Sequence, residues 1–272
     1  IGRSRTKERQ SVITSLHSPH IAEVKALLGA RGVKERRERG AFVVEGLQNI
    51  RELLRIAPQD VRQIFLTEEG RQRLSTTDLS SFDVIEVSDQ VMAAMTDTVT
   101  PQGVLAVSAI RTRSFEEWLH DNKSNNPLRI AFFWQIQDPG NAGTVIRTAD
   151  AFGFDAIVFS DNSVDAFAPK VVRSTAGSLW HVELFQEITF DSLMKCAEQC
   201  DTPIFATDTD GELSILDMTT AQRSRVIWVF GNEARGIPEE WKVKRVSIPM
   251  SGGAESLNLA SAAAVVMFTS SN

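Results

Sequence analysis

Three loops in the second half of the sequence combine glycines with polar side chains, and each follows a short apolar run. The first contains Asn141 and Arg147, the second contains Glu233, and the third contains Ser256 and Asn258. Glycines let a backbone approach a ligand closely, and a helix that begins at such a loop favours a bound anion such as an RNA phosphate. The loops therefore hold groups that can bind and orient a polar substrate.

Each loop by itself also has a purely structural interpretation. Asn141 can cap the helix that starts beside it, Arg147 can be an ordinary exposed side chain, and Ser256 or Asn258 can cap the next helix. Pro238, after the second loop, suits the first position of a short helix. All three loops in this order on one α/β domain favour function, because open parallel sheets place ligand sites at the carboxyl ends of their strands.

The elements around these loops alternate between strands and helices. Apolar runs without polar alternation indicate buried strands, and segments with helical spacing separate them. Strands are predicted at 130–136, 156–159, 203–207, 225–230 and 246–249. Helices are predicted at 141–152, 169–175, 190–199, 238–241 and 257–268. This order predicts an α/β fold with a parallel sheet covered on both faces.

The first half of the chain has a shorter α/β pattern that predicts a separate core. Strands are predicted at 41–45, 61–67, 82–87 and 103–110, with helices at 20–28, 47–54 and 88–95. A polar, turn-rich segment that ends in Pro127 marks a domain boundary. The predicted organisation is a flexible basic arm at 1–18, a small α/β domain at 19–112, a linker at 113–127 and a larger α/β domain at 128–272.

The composition is typical of a soluble globular protein, with 42% apolar and 24% charged residues. The longest apolar runs are far shorter than the ~20 residues that a membrane span needs. The start of the sequence also lacks the charged and then apolar pattern of a signal peptide. We therefore expect a cytoplasmic protein that has no membrane partner.

Signatures of several other enzyme classes are missing from the sequence. It has no Gly-x-Gly-x-x-Gly after the first strand and no Walker A sequence, which argues against a conventional dinucleotide fold and a P-loop NTPase. His17 and His20 supply too few ligands for zinc. Cys196 and Cys200 lie on one face of a predicted helix and are best explained as buried small residues. We therefore expect no metal.

Positive charge is concentrated near the start of the chain. The sequence has 29 basic and 35 acidic residues, yet its first 60 residues include 12 basic and 7 acidic ones. The densest basic segment contains Arg31, Lys34, Arg36, Arg37 and Arg39. Such a segment on an acidic protein indicates a polyanion partner, although acidic residues lie between the basic ones and local ion pairs on a solvated helix or loop are the structural alternative.

Together the three loops resemble the motifs of a known enzyme family, the SpoU (TrmH-type) RNA 2′-O-ribose methyltransferases of the SPOUT superfamily. The matching segments are Asn141-x-Gly143-x-x-x-Arg147, Gly231-x-Glu233-x-x-Gly236, Ile248-Pro-Met and Ser256-Leu257-Asn258. This resemblance covers residues 130–268. A shorter resemblance, carried by residues 42–46 and 100–104, is to the L30e-like substrate-binding domain often found in front of the methyltransferase domain.

The resemblance implies a SPOUT domain whose C-terminal part forms a deep trefoil knot, a feature that is very rare among folds. It also implies S-adenosylmethionine (AdoMet) as methyl donor, RNA as substrate and a homodimer. Ribosomal RNA of the 23S type is the first choice of substrate, because the L30e-like domain is common among members that modify rRNA. Transfer RNA is the second choice.

The family's motifs also assign roles to individual residues. The residues implied to bind AdoMet are Thr207, Gly231, Ile248 and Leu257. Those implied to form the catalytic neighbourhood are Asn141, Arg147, Glu233, Ser256 and Asn258. In the family this site tends to be completed across the dimer interface. With an RNA substrate, the basic residues at 31–39 are expected to contact phosphates.

Several alternatives remain open at the level of sequence. Arg147 is the family's proposed base for the ribose hydroxyl, but a free guanidinium stays protonated to above pH ~12, so Arg147 can equally orient a phosphate. A catalytically silent RNA-binding or ribosome-assembly factor with the same fold is a second interpretation. An antibiotic-resistance rRNA methyltransferase of the same chemistry is a third.

Overall fold

The protein is described from a computed structural model that covers residues 12–29 and 31–272. The chain divides into two compact units, residues 1–110 and 111–272. Each unit has its own sheet. Within the described ranges, no helix is long and apolar enough to cross a bilayer.

The first unit is a four-stranded mixed sheet with helices. Its elements are α1 (Pro19–Leu28), α2 (Gly32–Arg39), β1 (Ala41–Glu45), α3 (Leu47–Ile56), β2 (Val61–Leu66), α4 (Glu68–Arg73), β3 (Val84–Glu86), α5 (Asp89–Met95) and β4 (Val104–Ala109). The strand order is β1-β4-β2-β3, in which β4 is antiparallel to β1 and β2 while β2 and β3 are parallel. The helix α4 was not predicted, because its six residues carry no apolar stripe.

Apolar spacing explains how α3 packs in this unit. Ile50, Leu53 and Leu54 recur on one face of the helix, and all three are buried. Burying a side chain of this size stabilises a fold by about 1.5–3 kcal/mol. The helix begins directly after Gly46, whose φ of 92° lies in the left-handed region that glycine adopts without strain.

The predicted flexible arm at 1–18 falls partly outside the described residues, which begin at 12. Within the described part, Ile13 forms a parallel bridge to Val87. The Ile13 amide donates to the Glu86 carbonyl at 2.8 Å, and the Ser88 amide donates to the Ile13 carbonyl at 2.9 Å. This part of the segment is therefore paired with the strand end rather than independent of the fold.

The second unit contains a seven-stranded sheet. Its elements are α6 (Phe115–Asp121), β5 (Leu128–Phe133), α7 (Pro139–Ala151), β6 (Ala156–Ser160), α8 (Pro169–Ser174), β7 (Glu183–Ile188), α9 (Phe190–Gln199), β8 (Ile204–Thr207), β9 (Leu213–Ser214), α10 (Thr220–Ser224), β10 (Arg225–Phe230), β11 (Lys244–Ser247) and α11 (Leu259–Ser271). The strand order is β7-β6-β5-β10-β8-β11-β9, and all neighbours are parallel. The predicted parallel sheet is confirmed.

The centre of this sheet is apolar on both faces. In β6 every residue is buried, and in β10 every residue after the first is buried. Trp228 is fully buried, and the rings of Phe133 and Phe230 stack with centroids 4.8 Å apart. Because helices cover both faces, these strands do not alternate between apolar and polar residues.

The segment predicted as a linker, residues 113–127, differs in the structure. It contains α6, and Phe115, Trp118 and Leu119 of this helix are buried in the core of the second unit. The Phe115 ring lies edge-on to Phe185, with centroids 5.2 Å apart. These large apolar side chains need a core, so the segment folds with the second unit.

The short helix predicted at 238–241 is wrong, since these residues form a turn. The Trp241 ring stacks on Phe190 with centroids 3.4 Å apart. The Pro238 carbonyl accepts a hydrogen bond from Arg245 Nη2 at 3.0 Å. These tertiary contacts determine the backbone conformation at 238–241. A proline that suits the start of a helix gives no information about such contacts.

Candidate active site

A cavity of about 400 Å³ opens at the carboxyl ends of β8, β10 and β11. These strands are neighbours in the sheet, so the residues that follow them meet at one edge. The four residues predicted to bind a cofactor all line the cavity: Thr207, Gly231, Ile248 and Leu257. The volume lies within the range of about 300–1,000 Å³ that is typical of small-molecule sites.

The loop at 231–236 is closed on itself by backbone hydrogen bonds. The Asn232 amide donates to the Gly236 carbonyl at 3.0 Å, and the Gly236 amide donates to the Asn232 carbonyl at 2.9 Å. A Cβ at Gly231 would lie 2.6 Å from the Gly236 carbonyl carbon. Only glycine fits at position 231 without moving the loop.

Asn232 is a buried residue of this loop that the sequence analysis missed. Its Nδ2 donates to the Gln135 carbonyl at 2.9 Å, which ties the loop to the segment after β5. Its Oδ1 accepts from the amides of Ala234 at 3.0 Å and Arg235 at 3.2 Å. The position of Asn232 between Gly231 and Glu233 could have indicated that it holds the loop.

The first and second loops meet through a contact between side chains. Asn141 Nδ2 donates to Glu233 Oε1 at 3.3 Å. The interpretation of Asn141 as the cap of α7 is wrong, because the capping residue is Asp138, whose Oδ1 accepts from the Asn141 amide at 2.8 Å. The earlier cap leaves the Asn141 side chain available to bind Glu233, which also lines the cavity.

The third loop brings Ser256 and Asn258 to the cavity wall. Asn258 is also the N-cap of α11, and its Oδ1 accepts from the Ala260 amide at 2.9 Å. The capping interpretation is therefore correct for Asn258, and it is compatible with a position on the cavity wall.

Arg147 lies apart from the other predicted catalytic residues. It is exposed on α7 and does not line the cavity. Six residues of α-helix separate it from Asn141, which places the two on different faces at 3.6 residues per turn. Within this chain, Arg147 is therefore not assembled with Glu233.

An ion pair on the cavity wall was also missed by the sequence analysis. Asp208, which lines the cavity, accepts a hydrogen bond from Arg245 Nη1. The two residues lie 37 positions apart, and nothing in their local sequence indicated that they meet. The pair fixes a carboxylate at the edge of the cavity while offsetting its charge.

The basic segment forms α2 of the first unit. Arg31, Lys34, Arg37 and Arg39 are exposed. Arg36 is only 4% exposed, and its Nη1 donates to the Leu27 carbonyl. The expectation that Arg36 contacts RNA is therefore wrong, because its guanidinium is used inside the unit to hold the end of α1.

The cysteines are buried, as expected, with Cys196 4% and Cys200 7% exposed. Burial raises the pKa of the Cys196 thiol above its ordinary value. Among the residues that the structure describes, no group of three or more His, Cys, Asp or Glu side chains is placed to hold a metal ion.

The fold and the site together define a class of protein. The parallel α/β unit has the fold of SPOUT methyltransferases, and its cavity at the carboxyl ends of the strands is lined by the second and third loops. The chain belongs to the SpoU rRNA methylase family, whose model matches residues 127–268. The model of the MRM3-like substrate binding domain matches residues 19–106.

Named relatives agree with this assignment. The 23S rRNA (guanosine(2553)-2′-O)-methyltransferase RlmP of Bacillus subtilis is 30% identical over 86% of this chain and 90% of its own length. An AdoMet-bound rRNA methyltransferase from Sinorhizobium meliloti superposes with a TM-score of 0.82 at 26% identity, over 96% of this chain and 97% of that one. The AdoMet complex of the SpoU methyltransferase AviRb from Streptomyces viridochromogenes superposes with a TM-score of 0.79 at 25% identity, over 93% of this chain and 98% of that one.

Proposed function

We propose that this protein transfers a methyl group from AdoMet to a ribose 2′-hydroxyl of 23S-type ribosomal RNA. The observation that carries the proposal is the convergence of all three family loops on one edge of the sheet. The second and third loops line the cavity, and the Asn141–Glu233 hydrogen bond joins the first loop to them. The names of the relatives supply the substrate class.

The cavity fits AdoMet in its chemistry as well as its size. Ile248 and Leu257 offer apolar surface for an adenine ring, and Gly231 exposes backbone groups that can bind its polar edge. The carboxylate of Asp208, which is paired with Arg245, can accept a hydrogen bond from a polar part of the cofactor. When bound, AdoMet supplies a methyl group that is already electrophilic because it is attached to a sulfonium.

The catalytic residues then have to present the ribose hydroxyl to that methyl group. Glu233, held by Asn141, orients the hydroxyl or a neighbouring group of the RNA. Asn258 fixes the third loop by capping α11, and Ser256 lies on the cavity wall two residues before it, so that the cofactor and the ribose are brought together at this loop. Alignment of this kind lowers the barrier to a group transfer substantially.

We infer that Arg147 completes the site of a second copy of the chain. Its exposure on α7 leaves it available to another subunit. On α11, Val265 and Phe268 are also exposed, with 55% of Phe268 accessible. Exposed apolar side chains on a helix favour an interface with another protein surface. In the proposed homodimer, Arg147 contacts the substrate phosphate or hydroxyl at the neighbouring cavity.

The first unit is proposed to bind RNA through α2. The exposed basic residues of this helix and its N-cap, Arg31, Lys34, Arg37 and Arg39, supply positive charge, and phosphate contacts dominate protein–RNA affinity. Its match to a substrate-binding domain supports this role. A cytoplasmic location, where ribosomal RNA is found, remains part of the proposal.

The test is a ribose-methylation map of rRNA and tRNA from cells with and without the gene, by mass spectrometry of nuclease fragments. We expect one 2′-O-methyl site in 23S rRNA to disappear on deletion. The wild-type gene should restore it and the Arg147→Ala gene should not. A loss confined to tRNA, or no difference at any ribose, would contradict the proposal.

A further inference from the structure

The loop that carries Glu233 presents a second charged side chain, which has no part in the proposed binding of AdoMet or in the proposed catalysis. Arg235 follows Glu233 by two residues and is exposed. It does not line the cofactor cavity, whereas Glu233 and Gly236 on either side of it do. Arg235 is therefore at the rim of the site and available to a ligand other than the cofactor.

Two neighbours hold the Arg235 guanidinium in place. Its Cζ lies 5.4 Å from the centroid of the Trp134 ring, and its Nη2 donates to Gln135 Oε1. The Trp134 ring is itself packed edge-on against Trp241, with centroids 5.2 Å apart. An aromatic ring below a guanidinium fixes its position while leaving most of its five N–H donors for other partners.

The residue that receives Arg235 is also firmly held. Gln135 has a φ of 52°, a left-handed conformation that residues other than glycine seldom adopt. Its amide donates to Ser160 Oγ at 2.7 Å, and its carbonyl accepts from Asn232 Nδ2 at 2.9 Å. Conformations of this kind cluster at functional sites, where surrounding contacts impose them. The arrangement pre-organises the Arg235 side chain, two residues after Glu233 in the same loop.

Among the residues that the structure describes, no carboxylate is paired with Arg235. Within the described part of the chain, its side-chain contacts are the neutral Trp134 ring and the neutral Gln135 amide. The second unit is acidic, with 14 basic and 21 acidic residues at 111–272. An uncompensated cation at the rim of the site favours an anionic group of the substrate, and in RNA the 3′ phosphate is the anion next to each 2′-hydroxyl.

We propose that Arg235 binds the backbone phosphate adjacent to the ribose that is methylated. The planar fork of a guanidinium matches two phosphate oxygens, so a fixed Arg235 sets the position of the ribose as well as adding affinity. This inference rests on the proposed function and adds a substrate contact to it. The structural alternative is that Arg235 serves only to hold Gln135.

The test uses the full-length protein and unmethylated 23S rRNA transcribed in vitro. In Arg235→Gln, we expect AdoMet binding by calorimetry to match the wild type and the KM for rRNA to rise about tenfold. The slope of log Kd for rRNA against log salt concentration should fall in magnitude by about 0.7–0.9, the value for one lost phosphate contact. Arg235→Lys should keep the wild-type salt slope, and its KM for rRNA should lie between those of the wild type and Arg235→Gln.

Lys195→Gln, which removes an exposed charge from α9, is the matched control and should keep the wild-type slope. An Arg235→Gln protein with wild-type slope and KM would overturn the inference, and so would one whose only defects are in thermal stability and AdoMet binding. Failure of the wild type to methylate rRNA would instead contradict the proposed function. In that case the salt slope for rRNA binding would still decide the role of Arg235.

Discussion

Asn141 and Glu233 lie 92 positions apart, and their side chains meet at the mouth of the cavity. The contact depends on small local features. Asp138 caps α7 by accepting from the Asn141 backbone amide, which leaves the Asn141 side chain available to Glu233. Asn232 holds the loop that carries Glu233. At the scale of residues, the site is built from side chains that orient one another before any substrate arrives, which is what fast group transfer requires.

Replacing Asn141 with alanine tests this orientation. We expect Asn141→Ala to lower kcat for rRNA methylation by about 10- to 100-fold, because Glu233 loses the group that orients it. AdoMet affinity should not change, since Asn141 does not line the cavity. Thr144→Ala is the control, because the Thr144 hydroxyl donates to the Gly140 carbonyl of its own helix, at 2.7 Å. Equal rates in both variants would exclude the orienting role.

Gly231 gives a second prediction for single residues. A Cβ there would collide with the backbone at Gly236, and overpacking of this kind costs about 1–3 kcal/mol. Gly231→Ala should therefore weaken AdoMet binding about 10- to 100-fold by calorimetry. A Cβ at Gly253, in the third loop, would meet open space, so Gly253→Ala should bind AdoMet as the wild type does. A Gly231→Ala protein with wild-type affinity would show that the loop does not shape the cavity.

The helix α2 combines structural and exposed cations within one short element. Its buried Arg36 ties the helix to the end of α1, whereas Lys34 and Arg39 lie on the surface, paired with Glu38 at 3.6 Å and Glu35 at 3.0 Å. Exposed pairs of this type contribute about 0–1 kcal/mol. The exposed cations of α2 can therefore exchange these partners for RNA phosphates at little cost to the fold.

The two kinds of cation should respond differently to mutation. Arg36→Gln should lower the free energy of unfolding by about 1–3 kcal/mol in urea titrations, because the buried Leu27 carbonyl loses its donor. Lys34→Gln should change it by less than about 0.5 kcal/mol and should instead weaken rRNA binding. If the two variants had the same free energy of unfolding, Arg36 would have no structural role of this kind.

Most elements were predictable because their patterns are local. The strand at 225–230 and the helix at 190–199 have the predicted bounds. A run of apolar residues indicates a buried strand and an amphipathic stripe indicates a helix, and both patterns can be recognised within the segment itself. The turn at 238–241, where a helix was predicted, was not predictable in this way. It depends on Trp241 packing against Phe190, a contact between distant segments.

The same limit applies to the site. The four cavity residues were implied by the resemblance to the family's motifs, and all four line the cavity. The sequence pattern could not show that Arg36 is buried while Lys34 is exposed, since both lie in one run of charges. Nor could it reveal the Asp208–Arg245 pair, which forms only when β11 lies beside β8.

At the scale of the whole molecule, the proposal requires two copies of the chain. Each copy presents Arg147 on the surface of α7, away from its own cavity. The exposed apolar residues Val265 and Phe268 supply a surface for association. The trefoil knot that the family implies remains a prediction, as does the division of labour in which the first unit binds RNA and the second unit carries the chemistry.

Mixing two inactive variants tests whether the site is shared between subunits. Arg147→Ala and Glu233→Gln should each be inactive as homodimers. Heterodimers formed by mixed refolding or co-expression should regain activity, because one of their two sites would contain both Arg147 and Glu233. An unmixed pool of each variant is the control. No recovery in verified heterodimers would mean that Arg147 does not act across the interface.

The most direct test of the central claim is transfer of labelled methyl groups in vitro. Purified protein would be incubated with unmodified 23S rRNA and AdoMet labelled in the methyl group, and the RNA would then be hydrolysed with alkali. We expect label in a single alkali-resistant dinucleotide, because a 2′-O-methyl group blocks cleavage at its own phosphate. Label in a mononucleotide, which indicates base methylation, or no incorporation at all would contradict it.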